Sequence, residues 1–224
     1  MPVAIRILTA AWCLLAMVAA AAPAVTGVAE SDADALSARI AALDDYAATF
    51  QQAIADTRGR ILEESTGYVL LKRPDFKWVV DDPYPQVIVT EGETLKVYDP
   101  DLEQLTLKPL DEALTDTPIS LLLREDVALS DDFDIVRVAD LPPPERDPDA
   151  GAASTETFLV TPRAEDSLFA EIRIAFSADG LSSLGILDHL GQYTEIRFQA
   201  DPDRVIQSAD FELEVPPGTD VIGG

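Results

Sequence analysis

The sequence predicts an α+β domain in which a single curved antiparallel sheet forms an incomplete half-barrel that is covered by a helical lid. Short apolar segments separated by turn signals fill most of the chain from Ile61 onward, which indicates many strands. One amphipathic helix precedes these segments and a short apolar helix interrupts them. Because helices and sheets that are apolar on one face must bury that face, we expect the two helices to cover the concave face of the sheet.

The first helix is predicted from the stretch SDADALSARIAALDDY, which begins at Ser31. Serine is a favoured N-cap, and the two aspartates that follow suit the first turn of a helix. Leu36, Ile40 and Leu43 recur at helical spacing. The stretch therefore predicts a helix with one apolar face.

The next segment, residues 46–56, has a pattern that fits two structures. Tyr46, Phe50 and Ile54 fit the alternation of a strand, but Phe50 and Ile54 also continue the helical spacing from Leu43. Periodicity leaves the choice between strand and helix open here.

Eleven further segments have strand-like patterns, and turn signals such as Glu91-Gly92 and Asp179-Gly180 separate several of them. They are residues 61–72, 76–80, 86–90, 95–98, 104–107, 133–138, 157–161, 169–176, 182–187, 194–198 and 211–215. So many short segments with hairpin turns predict one large curved sheet or an open barrel.

Two segments interrupt the strands. In TDTPISLLLRED, Thr117 is a predicted cap and Pro118 occupies the first helical position, so a short apolar helix is expected. Residues 141–155 are rich in proline, aspartate and alanine, which predicts a flexible loop between two strands.

The N-terminus has the layout of an export signal. The first 24 residues contain one charge, Arg6, followed by an apolar run and small residues. We expect cleavage after Ala24, or as late as Ala29, which leaves residues 25–224 as a single domain. Cys13, the only cysteine, lies inside the signal, so no disulfide framework is expected.

Charge and motifs argue against several classes of function. A net charge of −25 disfavours binding to nucleic acid or, by charge, to anionic lipid. His189 is the only histidine, and no G-x-S-x-G motif, calcium loop, zinc cluster or glycine-rich phosphate loop accompanies it. The sequence therefore predicts a protein that is not an enzyme, without catalytic residues, metal or cofactor.

Arg73 occupies an unusual position in the stretch YVLLKRPDFKWVV. Pro74 cannot donate to a sheet ladder, and the residue before a proline favours extended geometry, so the chain is expected to bend here between two strands. Arg73 would then lie at a strand end beside apolar surface. It could bind a ligand, hold another segment or only solvate a turn.

Four segments in register carry a family resemblance: LLKRPDFKW, VYDPDLEQLTLKPL, LTDTPISLLLRED and FELEVPPGTDVI. With them, the chain resembles the periplasmic outer-membrane lipoprotein carrier family over nearly all of the region after the export signal. The resemblance implies a monomeric periplasmic carrier whose half-barrel and lid enclose a cavity for the acyl chains of lipoproteins. An inner-membrane ABC transporter would release this cargo, and an outer-membrane receptor would accept it.

The resemblance also implies roles for individual residues. Residues 46–56 become the first strand, and Arg73, which matches the arginine of the family's K-R-P motif, would hydrogen-bond backbone carbonyls around the lid and keep the empty protein closed. The expected lining of the cavity is Phe50, Ile54, Leu70, Phe76 and Trp78. The expected lid residues are Leu36, Ile40, Leu43, Ile119, Leu121, Leu122 and Leu123.

A second interpretation stays open. The same half-barrel is shared by periplasmic proteins that respond to lipids or lipoproteins, and fold alone does not decide function. A lipid- or lipoprotein-responsive regulatory binding protein is therefore the alternative.

Overall fold

The computed structural model describes residues 31–110, 129–138 and 156–223, and within them one 12-stranded sheet is present. Its helices are α1 (Asp32–Ala41) and α2 (Leu129–Asp132). Its strands are β1 (Tyr46–Ala55), β2 (Ile61–Lys72), β3 (Asp75–Asp82), β4 (Gln86–Glu91), β5 (Thr94–Asp99), β6 (Gln104–Pro109), β7 (Phe133–Val138), β8 (Glu156–Pro162), β9 (Phe169–Ser177), β10 (Gly180–Asp188), β11 (Tyr193–Ala200) and β12 (Asp220–Ile222).

The sheet is open: on one side of β1 the order follows the chain from β2 to β6, and on the other side it runs back from β11 to β7. The order is β12-β6-β5-β4-β3-β2-β1-β11-β10-β9-β8-β7, so β1 joins an N-terminal half to a C-terminal half. All pairs are antiparallel except β12 with β6, which is parallel. This pair differs from the expected antiparallel sheet, because the chain returns to the far edge after β11 and runs alongside β6 in the same direction.

Helix α1 forms as its sequence predicts. The hydroxyl of Ser31 accepts a hydrogen bond from the backbone N–H of Asp34 at 3.1 Å, which caps the first turn. Leu36 and Ile40 are buried on the apolar face of the helix. Leu43 is buried too, although it follows the end of the helix at Ala41.

Residues 46–55 form a strand, which confirms the choice that the family resemblance favoured. Ten of the eleven other predicted segments are strands within about two residues of their expected ends. The exception is 211–215, where the prediction of a strand is wrong. Residues 208–211 form a 3-10 turn, and the chain then continues without strand pairing until β12.

The reason for this exception is that the segment covers one face of the sheet instead of extending its edge. The ammonium group of Lys77 on β3 donates hydrogen bonds to the carbonyls of Asp210 and Glu212 at 2.7 and 3.1 Å. Lys72 reaches the carbonyl of Ile206 at 3.1 Å. These backbone acceptors are therefore satisfied by lysines, which a strand pattern does not reveal.

The two faces of the sheet carry separate buried clusters. We call the face that bears Phe50, Trp78 and Ile196 the inner face, and the opposite face the outer face. Side chains from α1, β1, β2, β3 and β7 to β11 share one cluster on the inner face. On the outer face, a smaller cluster joins Ile206 and Phe211 to the sheet.

Leu70 belongs to the outer-face cluster, where it packs with Ala47 and Val89. Its neighbours Val69 and Leu71 belong to the inner-face cluster instead. Because successive side chains of a strand point to opposite faces, Leu70 cannot share a surface with Phe50 and Trp78. Its expected place in the cavity lining is therefore corrected.

Several predicted features lie outside the described residues: the export signal at 1–24, the helix that begins after Thr117 and the loop at 141–155. In the part of the chain that the structure describes, no helix is long and apolar enough to cross a membrane.

Gly67 on β2 provides a test of the packing. A Cβ atom there would overlap the carbonyl oxygen of Val79 and lie 2.8 Å from Cζ of Phe50. We expect Gly67→Ala to lower the free energy of unfolding by about 3 kcal/mol, since neither neighbour can move freely. Urea unfolding followed by circular dichroism measures this change.

Gly92→Ala is the matched control. Its φ of 58° disfavours alanine, but nothing lies within 4 Å of the new Cβ, so a loss of only about 1 kcal/mol is expected. Equal losses for the two variants would contradict the close approach at Gly67.

Candidate functional site

Three aromatic side chains form a group on the inner face. The rings of Phe50 and Trp78 stack with centroids 4.0 Å apart and planes at 24°. Phe198 meets Trp78 edge-on at 6.1 Å and 82°. These residues come from β1, β3 and β11, so the group spans the centre of the sheet. We call it the aromatic group.

Gly67 permits this arrangement. It lies on β2, between the strands that carry Phe50 and Trp78, and is directly opposite Phe50 in the ladder. The Phe50 ring occupies the space above Gly67 where a side chain would otherwise project. The two rings can therefore stack across the intervening strand.

The other predicted lining residues lie at different depths. Phe76 is buried in the same cluster as Trp78, as the alternation of β3 predicts. Ile54 follows Phe50 by four residues on β1, so it shares the inner face, but it is only half-buried near the β1–β2 turn. Of the five predicted lining residues, the structure brings Phe50, Phe76 and Trp78 together in one buried cluster. Leu70 lies on the outer face.

Helix α1 covers part of the inner face. Leu36, Ile40 and Leu43 belong to the same buried cluster as the aromatic group, so the apolar side of α1 packs into this surface. The other predicted lid residues, Ile119 and Leu121 to Leu123, lie outside the described residues. The structure thus describes only those expected lid residues that belong to α1, together with Leu43.

Arg39 connects α1 to the C-terminal half of the sheet. Its Nη2 donates to the carbonyl of Ser177 at 3.0 Å, and its Nε lies 3.1 Å from a carboxylate oxygen of Glu156. The guanidinium also lies 5.0 Å from the ring centroid of Phe176. Three contacts from one side chain fix the helix against β8 and β9.

The start of α1 is tied down as well. The carboxylate of Asp32 accepts a hydrogen bond from the backbone N–H of Arg137 at 2.9 Å. The Arg137 guanidinium lies 3.2 Å from Glu156, the same residue that pairs with Arg39. A small charged network therefore links α1 to β7 and β8.

Arg73 binds the other end of α1. Its Nη2 donates to the carbonyl of Ile40 at 2.7 Å. This carbonyl lies in the last turn, where a positive charge is favourable, and it also accepts the backbone N–H of Leu43 at 3.1 Å. The hydroxyl of Thr90 accepts a hydrogen bond from the backbone N–H of Phe76 at 2.8 Å. This bond links the β2–β3 turn region to β4. A braced turn thus presents Arg73 to the helix end.

The hydroxyl of Tyr46 is a further polar contact at this end of the inner face. It donates to the carbonyl of Leu181 at 2.8 Å. Burial raises the pKa of Tyr46 strongly, so the phenol stays neutral and keeps donating across the physiological range. The hydrogen bond links the start of β1 to β10.

The inner face is apolar in character. Aromatic and aliphatic side chains make up the cluster, and within the described residues no group of three or more potential metal ligands is present. His189 lies away from it on an exposed turn, where its Nε2 lies 2.9 Å from the carbonyl of Ser167. The arrangement suits the binding of long hydrocarbon groups.

Sequence reasoning missed two contributors to this site. Phe198 alternates with Ile196 along β11, so its face could be read from the pattern but its contact with Trp78 could not. Arg39 stands in the last turn of α1, where a basic residue is commonplace. Its partners are more than a hundred residues away in sequence, and no local signal identifies them.

Comparison with known proteins identifies the family of this chain. A family model described as outer membrane lipoprotein carrier protein LolA matches residues 41–212. The chain belongs to this family. The match runs from the end of α1 through β11 and the segment on the outer face.

Individual relatives align with most of this chain. An outer-membrane lipoprotein carrier protein from Chromohalobacter salexigens is 34% identical over 214 residues, covering 94% of this chain and 96% of the relative. One of the same name from Hahella chejuensis is 35% identical over 191 residues, covering 84% and 87%. An uncharacterized conserved protein from Thermus thermophilus has a similar fold, with a TM-score of 0.50 and 14% identity over 86% of this chain and 99% of its own.

The contacts of Arg39 generate a test of how α1 is held. We expect Arg39→Leu to speed hydrogen exchange of the α1 amides about 5- to 10-fold, because hydrogen-bonding and ionic contacts to the sheet are lost. Exchange in the β1–β2 ladder should not change. Hydrogen exchange resolved by residue measures both regions.

Arg60→Leu serves as the control, since this arginine is exposed and pairs with Asp56 in the β1–β2 turn. It should leave α1 protection as it is. Unchanged exchange in Arg39→Leu would show that apolar packing alone holds the helix.

Proposed function

We propose that this protein is a periplasmic carrier that binds the acyl chains of lipoproteins released from the inner membrane and delivers them to an outer-membrane receptor. The observation that carries the proposal is an aromatic inner face that α1 covers while Arg73 binds the end of that helix. The names of the relatives support the same function. The task requires no catalytic step.

The physical obstacle to carrying a lipoprotein is the contact of its acyl chains with water. Each exposed CH₂ costs about 0.8 kcal/mol, so a 16-carbon chain costs on the order of 12 kcal/mol. A carrier must offer an apolar surface of similar size. The inner face carries apolar side chains from both halves of the sheet.

The same surface must be covered when no cargo is bound, since large exposed apolar patches cause aggregation. We infer that the sheet curves into a half-barrel and that α1 forms one part of its lid. The apolar segment with Ile119 and Leu121 to Leu123 supplies the rest. Phe50, Phe76, Trp78 and the half-buried Ile54 then line the cavity.

Export and partners follow from the same proposal. Residues 1–24 act as the export signal, and the remaining domain works as a monomer in the periplasm. An ABC transporter of the inner membrane loads the cargo, and a lipoprotein receptor of the outer membrane accepts it. The acidic surface keeps the carrier away from anionic membrane surfaces between these two encounters.

Arg73 acts as the latch of the lid in this proposal. Cargo can enter only if α1 moves from the inner face, which breaks the hydrogen bond from Arg73 to the carbonyl of Ile40. The loaded state therefore lacks a contact that the empty state has. Regaining that contact favours release, so transfer to a receptor with a higher affinity can proceed without an energy source.

We expect Arg73→Leu to bind lipoprotein at least as tightly as the wild type and to transfer it to the receptor about 10-fold more slowly. The reason is that closing the empty variant no longer recovers a charge-assisted hydrogen bond. Transfer of labelled lipoprotein from the purified complex to receptor-bearing membranes measures the rate.

Arg60→Leu removes an exposed guanidinium remote from α1 and controls for the loss of charge. Transfer by Arg73→Leu at the wild-type rate would refute the latch. Wild-type protein that binds lipoprotein but never hands it on would support the regulatory alternative.

Trp78 offers a direct measure of cargo binding. The sequence has two tryptophans, and Trp12 lies in the proposed export signal, so Trp78 is the only one in residues 25–224. Because Trp78 stacks on Phe50, an acyl chain that enters between lid and sheet should change its emission. We expect a saturable change in fluorescence when a palmitoylated cysteinyl lipopeptide is added.

The same peptide without acyl chains is the control and should leave the emission constant. A lipopeptide that binds by sedimentation without any change in Trp78 emission would place the acyl chains away from the aromatic group.

A further inference from the structure

Ser65 places a buried hydroxyl group on the inner face. The residue lies on β2 and is only 5% exposed. Its Oγ is buried and has no hydrogen-bond partner among the described residues. Buried hydroxyls are normally hydrogen-bonded, so an unpaired one calls for a physical reason.

The ladder between β1 and β2 fixes the direction of this side chain. Phe50 is opposite Gly67. Two residues further along the ladder, Gln52 is opposite Ser65, and the side chains of this pair point to the same face as the side chain of Phe50. Residues directly opposite each other in an antiparallel pair point to the same face. Ser65 and Gln52 therefore share the inner face with the aromatic group.

Polarity changes along the inner face in one direction. The aromatic group lies near the middle of the strands, and Ser65 and the half-buried Gln52 come next. Ile54 follows, with Glu63 opposite it on β2 and Thr194 opposite it on β11. The face thus becomes more polar from the aromatic group toward the β1–β2 turn.

An unpaired hydroxyl at this place is a cost for the empty protein. A buried polar group without a partner costs about 1–3 kcal/mol, whereas alanine at the same position would cost nothing of this kind. The donor would be satisfied by a ligand that brings an acceptor into an otherwise apolar surface. An acyl chain does this, since it is hydrocarbon except for the carbonyl by which it is attached.

We propose that the Ser65 hydroxyl, flanked by the Gln52 amide, binds the ester or amide carbonyl at the attached end of an acyl chain. This inference rests on the proposed carrier function and adds to it a position and an orientation for the cargo. The hydrocarbon runs past the aromatic group toward Arg73. The glyceryl and peptide part of the lipoprotein points toward the β1–β2 turn.

Ser65 is already buried in the empty protein. When cargo enters, its carbonyl takes up the free donor. Loading thus exchanges one hydrogen bond, from Arg73 to Ile40, for another, from Ser65 to the cargo. Ser65 would distinguish an acyl chain, which has a carbonyl, from a plain hydrocarbon chain of the same length.

The test compares two probes in the wild type and in Ser65→Ala. One is a dipalmitoyl cysteinyl lipopeptide with ester links, and the other is its analogue with ether links, which lacks the two carbonyls. We expect Ser65→Ala to weaken binding of the ester probe roughly 3- to 10-fold, as loss of one hydrogen bond predicts, and to leave the ether probe unchanged. Titration of Trp78 fluorescence or sedimentation gives the dissociation constants.

Thermal unfolding and a neighbouring variant provide the controls. The Tm of Ser65→Ala should equal or exceed that of the wild type, because no hydrogen bond is lost. Thr66→Ala changes the next side chain, which is exposed and points to the outer face, and it should affect neither probe.

If Ser65→Ala weakened the binding of both probes equally, or of neither probe, the role of Ser65 would be overturned and the carrier function would remain intact. A marked fall in Tm would reveal a structural role instead. Failure of the wild type to bind either probe would reject the carrier function itself, and the role of Ser65 with it.

Discussion

The packing of α1 on the inner face is the interaction on which the rest of the structure depends. The sheet presents apolar side chains from eight strands to one side, and solvent contact over that area would be unfavourable. Leu36 and Ile40 cover part of it, while Arg39 and Arg73 hold the helix through carbonyls of Ser177 and Ile40. A few polar contacts thus hold the helix over a large apolar surface.

The two arginines hold the last turn of α1 in different ways. Arg39 belongs to α1 and reaches out to β8 and β9, with a carboxylate, a carbonyl and an aromatic ring around it. Arg73 belongs to the sheet and reaches a carbonyl in the last turn of the helix. Both contacts therefore act on the last turn of α1, one through a side chain of the helix and the other through its backbone.

The sequence predicted the main features of the fold because its signals were local. The capped helix at Ser31, the alternation of β3 and the hairpin at Gly92 each depend on neighbours in the chain. The failures were long-range. Residues 211–215 look like a strand, yet Lys77 and the outer-face cluster hold this region against the sheet, and Leu70 looked like lining because alternation does not say which face is inside. The bond from Arg73 to α1 was expected only because the family resemblance implied it.

Ser65 shows why polar residues on an apolar face are informative in a carrier. A protein selected only for stability would replace an unpaired buried hydroxyl, because alanine removes the cost without leaving a large cavity. A protein that must bind and then release a lipid has a different requirement. It needs an empty state that is stable enough to stay soluble but leaves some interactions unsatisfied until cargo arrives. In the proposed mechanism, the unpaired donor on the inner face meets that requirement, and Arg73 supplies the opposing contact of the empty state.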